Sequence, residues 1–192
     1  MSIDGETFDY GPCAFLNYYD EDAVISSIDK HGRYAFGNQR GILRWNLERF
    51  AEALEPLCND STASFNEIEA KLDSFEEIFE AEYYAMMRRK LGIPTDGAEQ
   101  IVDEFVDWLR TSGGDYTNTF IELETSGSFD DPIYSSAEFE QLCEKVAEVG
   151  LDENLMKQAN PRYIPRNYLV ENALTQYVEN KDLSRFRALL NV

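Results

Sequence analysis

The residue types that most hydrolases use for catalysis are sparse in this sequence. His31 is the only histidine, so a Ser-His-Asp or Cys-His hydrolase, or a metal site with several histidines, lacks its central residue. The sequence also contains no glycine-rich phosphate loop of the P-loop or dinucleotide-binding type and no His-Glu-x-x-His zinc motif. These classes of protein are therefore excluded.

One carboxylate lies among aromatic residues, where it needs a partner. Asp9 stands between Phe8 and Tyr10 and is followed by Gly11 and Pro12, which is a turn signal. An unpaired charge in apolar surroundings is costly, so such a group is paired, hydrogen-bonded or bound to a metal ion. An aspartate with a glycine two positions later is also typical of the magnesium-binding aspartate in kinase-type phosphate sites. Two interpretations stay open: a metal ligand, and an aspartate that caps a turn.

The other acidic residues and the cysteines indicate no further site. Acidic runs such as Asp20-Glu21-Asp22 and Asp130-Asp131 are expected in a chain with 37 carboxylates, and we interpret them as solvated surface. Cys13, Cys58 and Cys143 are odd in number and far apart, which argues against a disulfide framework or a zinc site. We expect them to be small buried residues in a protein of a reducing compartment.

Composition and charge argue against nucleic acids and membranes as partners. The chain has 192 residues, with 17 Lys and Arg against 37 Asp and Glu, so its formal net charge is −20. That charge repels phosphate backbones and anionic lipid, and we expect no nucleic-acid partner. No stretch approaches the ~18 apolar residues of a membrane span. Residues 1–6 are acidic and do not form a signal sequence. We therefore expect a soluble protein without membrane contact.

Helical periodicity dominates from about residue 41 onward, whereas residues 1–40 are aromatic-rich and show no clear period. The pairs Ser64/Glu67 and Ser135/Glu138 predict the starts of two helices, and residues 125–132 predict a loop. The predicted helices cover about 41–57, 64–91, 96–112, two turns after 115, 135–149, 167–179 and 183–191. Six or seven helices with little strand make the predicted fold mainly α.

Apolar stripes on these helices define the expected core. The expected core residues of the first helix are Leu43, Leu47, Phe50, Leu54 and Leu57. The stripe Phe75, Phe79 and Tyr83 and the pair Tyr163 and Tyr168 are expected to be core or helix-packing residues. A basic cluster of Arg33, Arg40, Arg44 and Arg49 accompanies the first helix. These arginines either face a nucleotide or a neighbouring lobe, or pair with acidic residues to hold helices together, as we expect for Arg33 and Arg49.

A series of landmarks in fixed order resembles the selenoprotein O (SelO) family of kinase-fold protein adenylyltransferases, from residue 1 to about residue 172. The first is the Met-Ser-Ile run at residues 1–3 with Asp9-Tyr10-Gly11-Pro12 and Phe15. The others are Gly32-Arg33-Tyr34-Ala35-Phe36 with Gln39, Trp45-Asn46-Leu47 with Arg49, Asp115-Tyr116-Thr117 with Phe120, and Asn160-Pro161-Arg162-Tyr163 with Arg166-Asn167-Tyr168-Leu169. Ordered matches of this kind are far more specific than a single motif.

The resemblance implies transfer of AMP from ATP to Ser, Thr or Tyr hydroxyls of other proteins. It further implies that ATP binds in a flipped orientation with Mg²⁺ or Mn²⁺ as the metal ion. Asp9 matches the family's second metal-ligating residue, the counterpart of the kinase metal aspartate, which also contacts the nucleotide. Such a carboxylate holds a divalent ion against the phosphates and thereby neutralises charge while the α-phosphorus is attacked.

Parts of the family pattern match no residue of this sequence. In the family an Asp-Asn pair, the general base and the other metal ligand, directly precedes the Met-Ser-Ile run, which here begins at Met1. The nucleotide-binding lobe would also lie upstream, and the Cys- or selenocysteine-bearing tail of some members has no counterpart before Val192. Cys13-Ala14 stands where aromatic-Gly is usual, and Arg40 stands where Pro is usual.

These observations lead to one expectation for the fold and two for the function. We expect a single domain over residues 1–192, with a metal-site turn and loop segment at 1–40 and a helical bundle at 41–192 that corresponds to the larger lobe of a kinase-like fold. One functional hypothesis is the C-terminal portion of a SelO-like protein adenylyltransferase that supplies Asp9 and is inactive alone, with no catalytic residue of its own. The alternative is a non-catalytic, acidic helical protein that pairs with a separately encoded N-terminal lobe.

The expected partners and compartment follow from the same hypotheses. Protein substrates or the N-terminal lobe are the expected partners, and Mg²⁺ or Mn²⁺ with ATP are the expected cofactors, unless the chain alone binds none. The apolar residues of segment 1–20 also predict self-association. The compartment that the resemblance favours is the cytoplasm, with mitochondria as the alternative.

Overall fold

A computed structural model describes residues 15–57 and 62–190 of the chain. Within these residues the structure is mainly α, which confirms the predicted fold class. Nine α-helices lie in the described part: α1 (Gln39–Leu54), α2 (Thr62–Asp73), α3 (Phe75–Leu91), α4 (Glu99–Ser112), α5 (Tyr116–Thr125), α6 (Ala137–Glu148), α7 (Glu153–Ala159), α8 (Asn167–Asn180) and α9 (Ser184–Leu190). The likeness to a kinase lobe and the single-domain assignment stay predictions.

The prediction of one long helix over 64–91 is wrong, because the helix is interrupted at Ser74 and forms two helices, α2 and α3. The Ser74 hydroxyl donates a hydrogen bond of 2.9 Å to the Lys71 carbonyl. Serine competes in this way with the helical backbone bonds, which a hydrophobic period does not reveal. Ser64 lies inside α2 and not at its start.

The start of α6 differs from the sequence prediction, and α7 is an additional helix. The N-cap of α6 is Ser136 and not Ser135, since its side chain accepts a hydrogen bond from the Phe139 N–H at 3.2 Å. Helix α7 was not predicted. Asp152 caps it by accepting hydrogen bonds from the N–H groups of Asn154 and Leu155, at 2.9 and 3.2 Å. A helix of seven residues is too short to show a period, so its cap is its main signal in the sequence.

The hydrophobic core lies among α3, α4, α5, α6 and α7. Side chains with no exposed surface come from each of these helices: Leu91, Val102, Phe105, Leu109, Phe120, Val146 and Met156. The Phe105 and Phe120 rings pack with their centroids 5.0 Å apart. These contacts fix α5 against α3 and α4, so the start of α5 has a defined place on the core surface.

The predicted core stripe of α1 is wrong. Leu57 is 72% exposed and Phe50 is 41% exposed, and Ala51 is the buried residue of α1. Helix α1 packs on α2, outside the main core. A helical period identifies an apolar face but not the neighbour that covers it.

The aromatic residues divide between the core and the surface. Phe75 is buried and Tyr83 is half-buried, in accordance with the expected stripe on α3. Tyr163 and Tyr168 are 59% and 61% exposed, so the first of their two predicted roles, membership of the core, is wrong. Tyr163 lies in the connection to α8, and Tyr168 lies in the first turn of that helix.

Residues 15–35 are irregular, lead into a short 3-10 helix at Phe36–Asn38, and lie against the start of α5 and the end of α3. Backbone hydrogen bonds from Phe36 N–H to the Ala23 carbonyl, at 3.0 Å, and from Gly37 N–H to the Glu21 carbonyl, at 2.8 Å, close this segment on itself. The described residues contain no strand and one isolated antiparallel bridge, between Tyr18 and Asp115. That bridge connects the irregular segment to the helical part.

Candidate functional site

The predicted metal ligand Asp9 lies outside the described residues, so its role stays a prediction. The structure describes the chain from Phe15, six positions further on. The described residues that follow Asp9 in the chain begin at Phe15 and contact the helical part. Their attachment to the helical part is the main geometric feature of the region.

Segment 15–19 runs along the start of α5. The Tyr116 N–H donates a hydrogen bond of 3.1 Å to the Asn17 carbonyl, beside the bridge between Tyr18 and Asp115. The N–H groups in the first turn of a helix have no partner within the helix. The segment after Asp9 thus supplies an acceptor at the helix start, and this bond sets its position.

Arg166 holds this junction together from the opposite side. Its guanidinium donates to both oxygens of the Asp115 carboxylate, with Nη1–Oδ2 at 2.7 Å and Nη2–Oδ1 at 2.9 Å. The same group donates to the Asn17 Oδ1 at 3.0 Å and to the Asn118 Oδ1 at 3.3 Å. Arg166 is 9% exposed, and a planar two-pronged contact of this kind fixes orientation as well as position. We call Asn17, Asp115, Asn118 and Arg166 the Arg166 anchor.

Asp115 has two tasks in the Arg166 anchor. Besides pairing with Arg166, its Oδ1 accepts a hydrogen bond of 2.8 Å from the Asn118 N–H and so caps α5. A carboxylate at a helix N-terminus is favoured by the partial positive charge there. Asp115 therefore couples the start of α5 to the residue that precedes α8 through its side chain, and to segment 15–19 through its backbone bridge with Tyr18.

An aromatic cluster covers the other face of segment 15–19. Tyr19 stacks on Tyr116 with ring centroids 6.0 Å apart, and it meets Phe36 edge-on at 5.8 Å. Burial raises the pKa of Tyr116 to about 12, and burial together with the neighbouring Glu21 carboxylate raises the pKa of Tyr19. Both tyrosines are consequently neutral at physiological pH and serve as packing groups.

Three of the four arginines in the basic cluster pair with acidic residues. Arg40 pairs with Glu76 on α3, Arg44 pairs with Glu48 at 3.1 Å and Arg49 pairs with Glu52 at 2.7 Å. The expectation of an acidic partner is confirmed for Arg49. It is wrong for Arg33, which forms no ion pair among the described residues and lies instead over the Trp45 ring, 4.4 Å from its centroid.

The described residues offer no complete metal site. Within residues 15–57 and 62–190, no group of three or more His, Cys, Asp or Glu side chains could hold a metal ion. Asp115, whose backbone bridges Tyr18, has both carboxylate oxygens engaged by Arg166. A divalent ion at this end of the chain would thus depend on donors outside the described part.

Sequence reasoning named the residues of this region without their roles. Asp115 and Arg166 appear in two separate landmarks of the resemblance, and the structure brings them within hydrogen-bonding distance. Lys90 and Asn160 were not identified as a pair, yet Asn160 Nδ2 donates a hydrogen bond of 2.8 Å to the Lys90 carbonyl. In the sequence, these contacts are indicated only by the position of Asp115 at a predicted helix start and by the prolines next to Asn160 and Arg166.

Comparison with known proteins agrees with the landmarks. The family described as "Protein adenylyltransferase SelO" matches residues 1–192. Among curated relatives named "Protein nucleotidyltransferase YdiU", that of Methylorubrum populi is 41% identical over all of this chain and 43% of its own length. Those of Nitrosococcus oceani and Pelagibacter ubique are 39% and 41% identical, again over all of this chain and over 41% and 42% of their own lengths.

The chain therefore spans about two fifths of the length of these relatives. None of the helices in the described ranges is long and apolar enough to cross a membrane. The match over the whole chain, together with relatives of this identity, shows that the chain belongs to the SelO family of protein adenylyltransferases.

Proposed function

We propose that this chain is the portion of a protein adenylyltransferase that supplies Asp9 as a ligand of the metal-nucleotide site and holds the segment behind it in place. The reaction is the transfer of AMP from ATP to hydroxyl groups of protein substrates. The observation that carries the proposal is the family match, which extends over residues 1–192 and includes the Asp9 motif.

The chemistry of Asp9 follows from its charge. A divalent ion held by a carboxylate stabilises the negative charge that develops on the phosphates of ATP as a hydroxyl attacks the α-phosphorus. An oxygen ligand such as the Asp9 carboxylate is suited to Mg²⁺ or Mn²⁺. ATP, the ion and the protein substrate are thus the proposed ligands and partner.

The Arg166 anchor supports this role because it fixes the position of Asn17, which follows Asp9 in the chain. A ligand works only when its backbone is held still, since small displacements of a reacting group are costly. Asn17 lies eight residues after Asp9 and is bonded both through its carbonyl to Tyr116 and through its side chain to Arg166. These two bonds hold the backbone and side chain of Asn17, and this support for the chain that leads to Asp9 is part of the proposal.

We further propose that the residues of this chain are not sufficient for transfer. The Asp-Asn pair that the family uses as general base and metal ligand matches no residue here, and neither does its phosphate-binding lobe. Chemistry of this kind depends on positioned groups acting together. The chain alone is expected to give no transfer above the level of buffer.

The test is a chimera in which this chain replaces the matched two fifths of the Nitrosococcus oceani relative. The chimera is incubated with Mg²⁺ or Mn²⁺, a protein mixture as acceptor, and ATP that carries ³²P on either the α- or the γ-phosphate. Label in protein from the α-phosphate and not from the γ-phosphate is expected. Asp9→Ala is expected to lower the rate by at least about a hundredfold.

Asp4→Ala is the matched control, because it removes an acidic residue of the same segment that matches no functional position of the family. Its rate should equal that of the unmodified chimera. Equal rates for Asp9→Ala and Asp4→Ala would contradict the role of Asp9. Label from the γ-phosphate, or a folded chimera that transfers nothing while the native relative does, would contradict the assigned reaction.

A further inference from the structure

A small cavity lies beneath segment 15–16, apart from the carboxylate and guanidinium groups of the Arg166 anchor. Its volume is about 240 Å³, which is below the size of pockets for large ligands. Phe15, Leu16, Phe36 and Ile164 supply apolar walls, and Lys90 and Asn160 supply polar groups. An apolar cavity with a few convergent polar groups is the usual form of a small-molecule site.

Lys90 brings a positive charge to this cavity without a matching negative charge. Its Nζ lies 4.3 Å from the centroid of the Phe120 ring and 5.8 Å from that of Tyr116. No described carboxylate forms an ion pair with it, although the chain has an excess of acidic residues. Burial lowers the pKa of Lys90 to about 8. The ammonium group is thus desolvated and compensated only by aromatic faces, and an anion beside it would be favoured.

Asn160, which also lines this cavity, carries a buried acceptor without a hydrogen-bond partner in the described part of the chain. The residue is 5% exposed, and its Nδ2 donates to the Lys90 carbonyl at 2.8 Å. This bond fixes the orientation of the amide, because a carbonyl can accept but not donate. The Oδ1 atom is buried and accepts no hydrogen bond from any described residue. A buried acceptor without a donor costs stability, so a donor from a ligand would be favoured here.

We propose that this cavity binds a small carboxylate with an apolar body, whose carboxylate accepts a hydrogen bond from Lys90 and whose hydroxyl group donates one to Asn160. A single lysine neutralises one negative charge, and the chain as a whole is acidic, so a monoanion fits better than a phosphate dianion. The apolar walls select the body of the ligand, and the cavity volume limits it to a fragment-sized molecule. This site does not depend on the transfer of AMP.

The test uses the full 192-residue chain with benzoate, phenylacetate and mandelate as probes and their neutral amides as controls. Titration calorimetry measures affinity, and NMR of lysine labelled with ¹³C at Cε follows the titration of each of the six lysines. At least one of the carboxylates is expected to bind at least about tenfold more tightly than its amide. Mandelate should bind more tightly than phenylacetate, because mandelate adds a hydroxyl group that can donate to Asn160. At saturation the pKa of Lys90, and of no other lysine, should rise.

Lys90→Met keeps the apolar stem of the side chain and removes its charge, so it should abolish carboxylate binding. Lys157→Met is the matched control, since Lys157 pairs with Glu153 at 3.2 Å on the surface, and it should bind as the unmodified chain does. The Lys90 titration in the unmodified chain keeps the test decisive if Lys90→Met does not fold. Absence of saturable binding, or a Lys90 pKa that does not change while ligand binds, would overturn the proposal.

Discussion

Arg166 and Asp115 are 51 residues apart in sequence, yet two parallel hydrogen bonds, of 2.7 and 2.9 Å, join the guanidinium of one to the carboxylate of the other. This pair connects the residue before α8 to the N-cap of α5. Asn17 accepts hydrogen bonds from both sides of this pair: its Oδ1 from Arg166 Nη1 and its carbonyl from the Tyr116 N–H, next to Asp115. The pair therefore fixes the position of Asn17. The Arg166 anchor therefore joins the starts of α5 and α8 to Asn17 of the irregular segment.

Replacement of Arg166 should loosen this junction. Arg166→Met leaves the Asp115 carboxylate without its partner and removes the side-chain bond to Asn17. We expect the free energy of unfolding to fall by about 2–4 kcal/mol, because breaking a largely buried charged pair leaves an uncompensated charge. Urea denaturation measures this change. Hydrogen exchange at the Tyr116 N–H, which bonds the Asn17 carbonyl, should also become faster.

Arg110→Met is the control for loss of an arginine. Arg110 pairs with Asp107 at 2.5 Å, and both side chains are more than half exposed. The expected change is below about 1 kcal/mol, as for most surface ion pairs. Equal losses for the two variants would show that the Arg166 anchor contributes no more than a surface contact.

The sequence predicted the helices better than it predicted what covers them. The apolar period placed α1 correctly, but Leu57 and Phe50 are exposed because α1 packs on α2 and not on the main core. Periodicity is a property of one helix, whereas burial depends on the neighbours that the chain brings to it. The apolar period likewise carries no sign of the break at Ser74, where the serine hydroxyl donates to the Lys71 carbonyl.

The candidate site was predictable in its residue types but not in its contacts. Asp115 and Arg166 were named as landmarks of a family, and the spacing of 51 residues between them carries no local signal of an ion pair. Lys90 was not identified, because a lysine near the end of a helix is most often a solvated residue. Only the tertiary structure shows that it lies beside Asn160 and the ring of Phe120.

Gly92 should not tolerate a side chain. It ends α3 in the left-handed region, with φ of +72°, and a Cβ there would lie 2.7 Å from Met156 Cγ and 3.0 Å from the Asp152 carbonyl oxygen. Gly92→Ala is expected to lower the free energy of unfolding by about 2–4 kcal/mol through backbone strain and crowding. Gly41→Ala is the control, because nothing lies within 4 Å of its Cβ position, and it should leave stability unchanged or raise it by up to about 1 kcal/mol. Thermal and urea unfolding distinguish the two.

Glu122 should be needed to hold the loop after α5. Its buried carboxylate accepts hydrogen bonds from the N–H groups of Gly127, of Ser128 at 2.8 Å and of Phe129 at 3.1 Å. Glu122→Gln keeps the shape of the side chain but directs an amide donor at N–H groups. We expect a loss of about 2–3 kcal/mol in urea denaturation and faster exchange at Ser128. Glu144→Gln, at an exposed position, should change stability by less than about 0.5 kcal/mol.

Lys90 should make stability depend on pH in a defined direction. Its pKa falls from the ordinary 10.5 to about 8 on folding, because burial disfavours the charged form. Below about pH 8 both states hold the proton, and the folded state carries the full cost of the buried charge. Between pH 8 and 10.5 the unfolded state binds more protons than the folded state, so the free energy of unfolding rises with pH. Above that range both states are neutral and the penalty is absent.

Comparison of the unmodified chain with Lys90→Met isolates this effect from the tyrosines, whose titration is common to both proteins. At pH 7 Lys90→Met should be the more stable by about 1–2 kcal/mol, after the loss of the contact between the ammonium and the Phe120 ring is taken into account. Urea denaturation from about pH 7 to about pH 10 should show this difference shrinking as the pH rises. A difference that stays constant, or that grows with pH, would mean that Lys90 is not desolvated in the folded chain, because a solvated lysine keeps nearly the same pKa in both states.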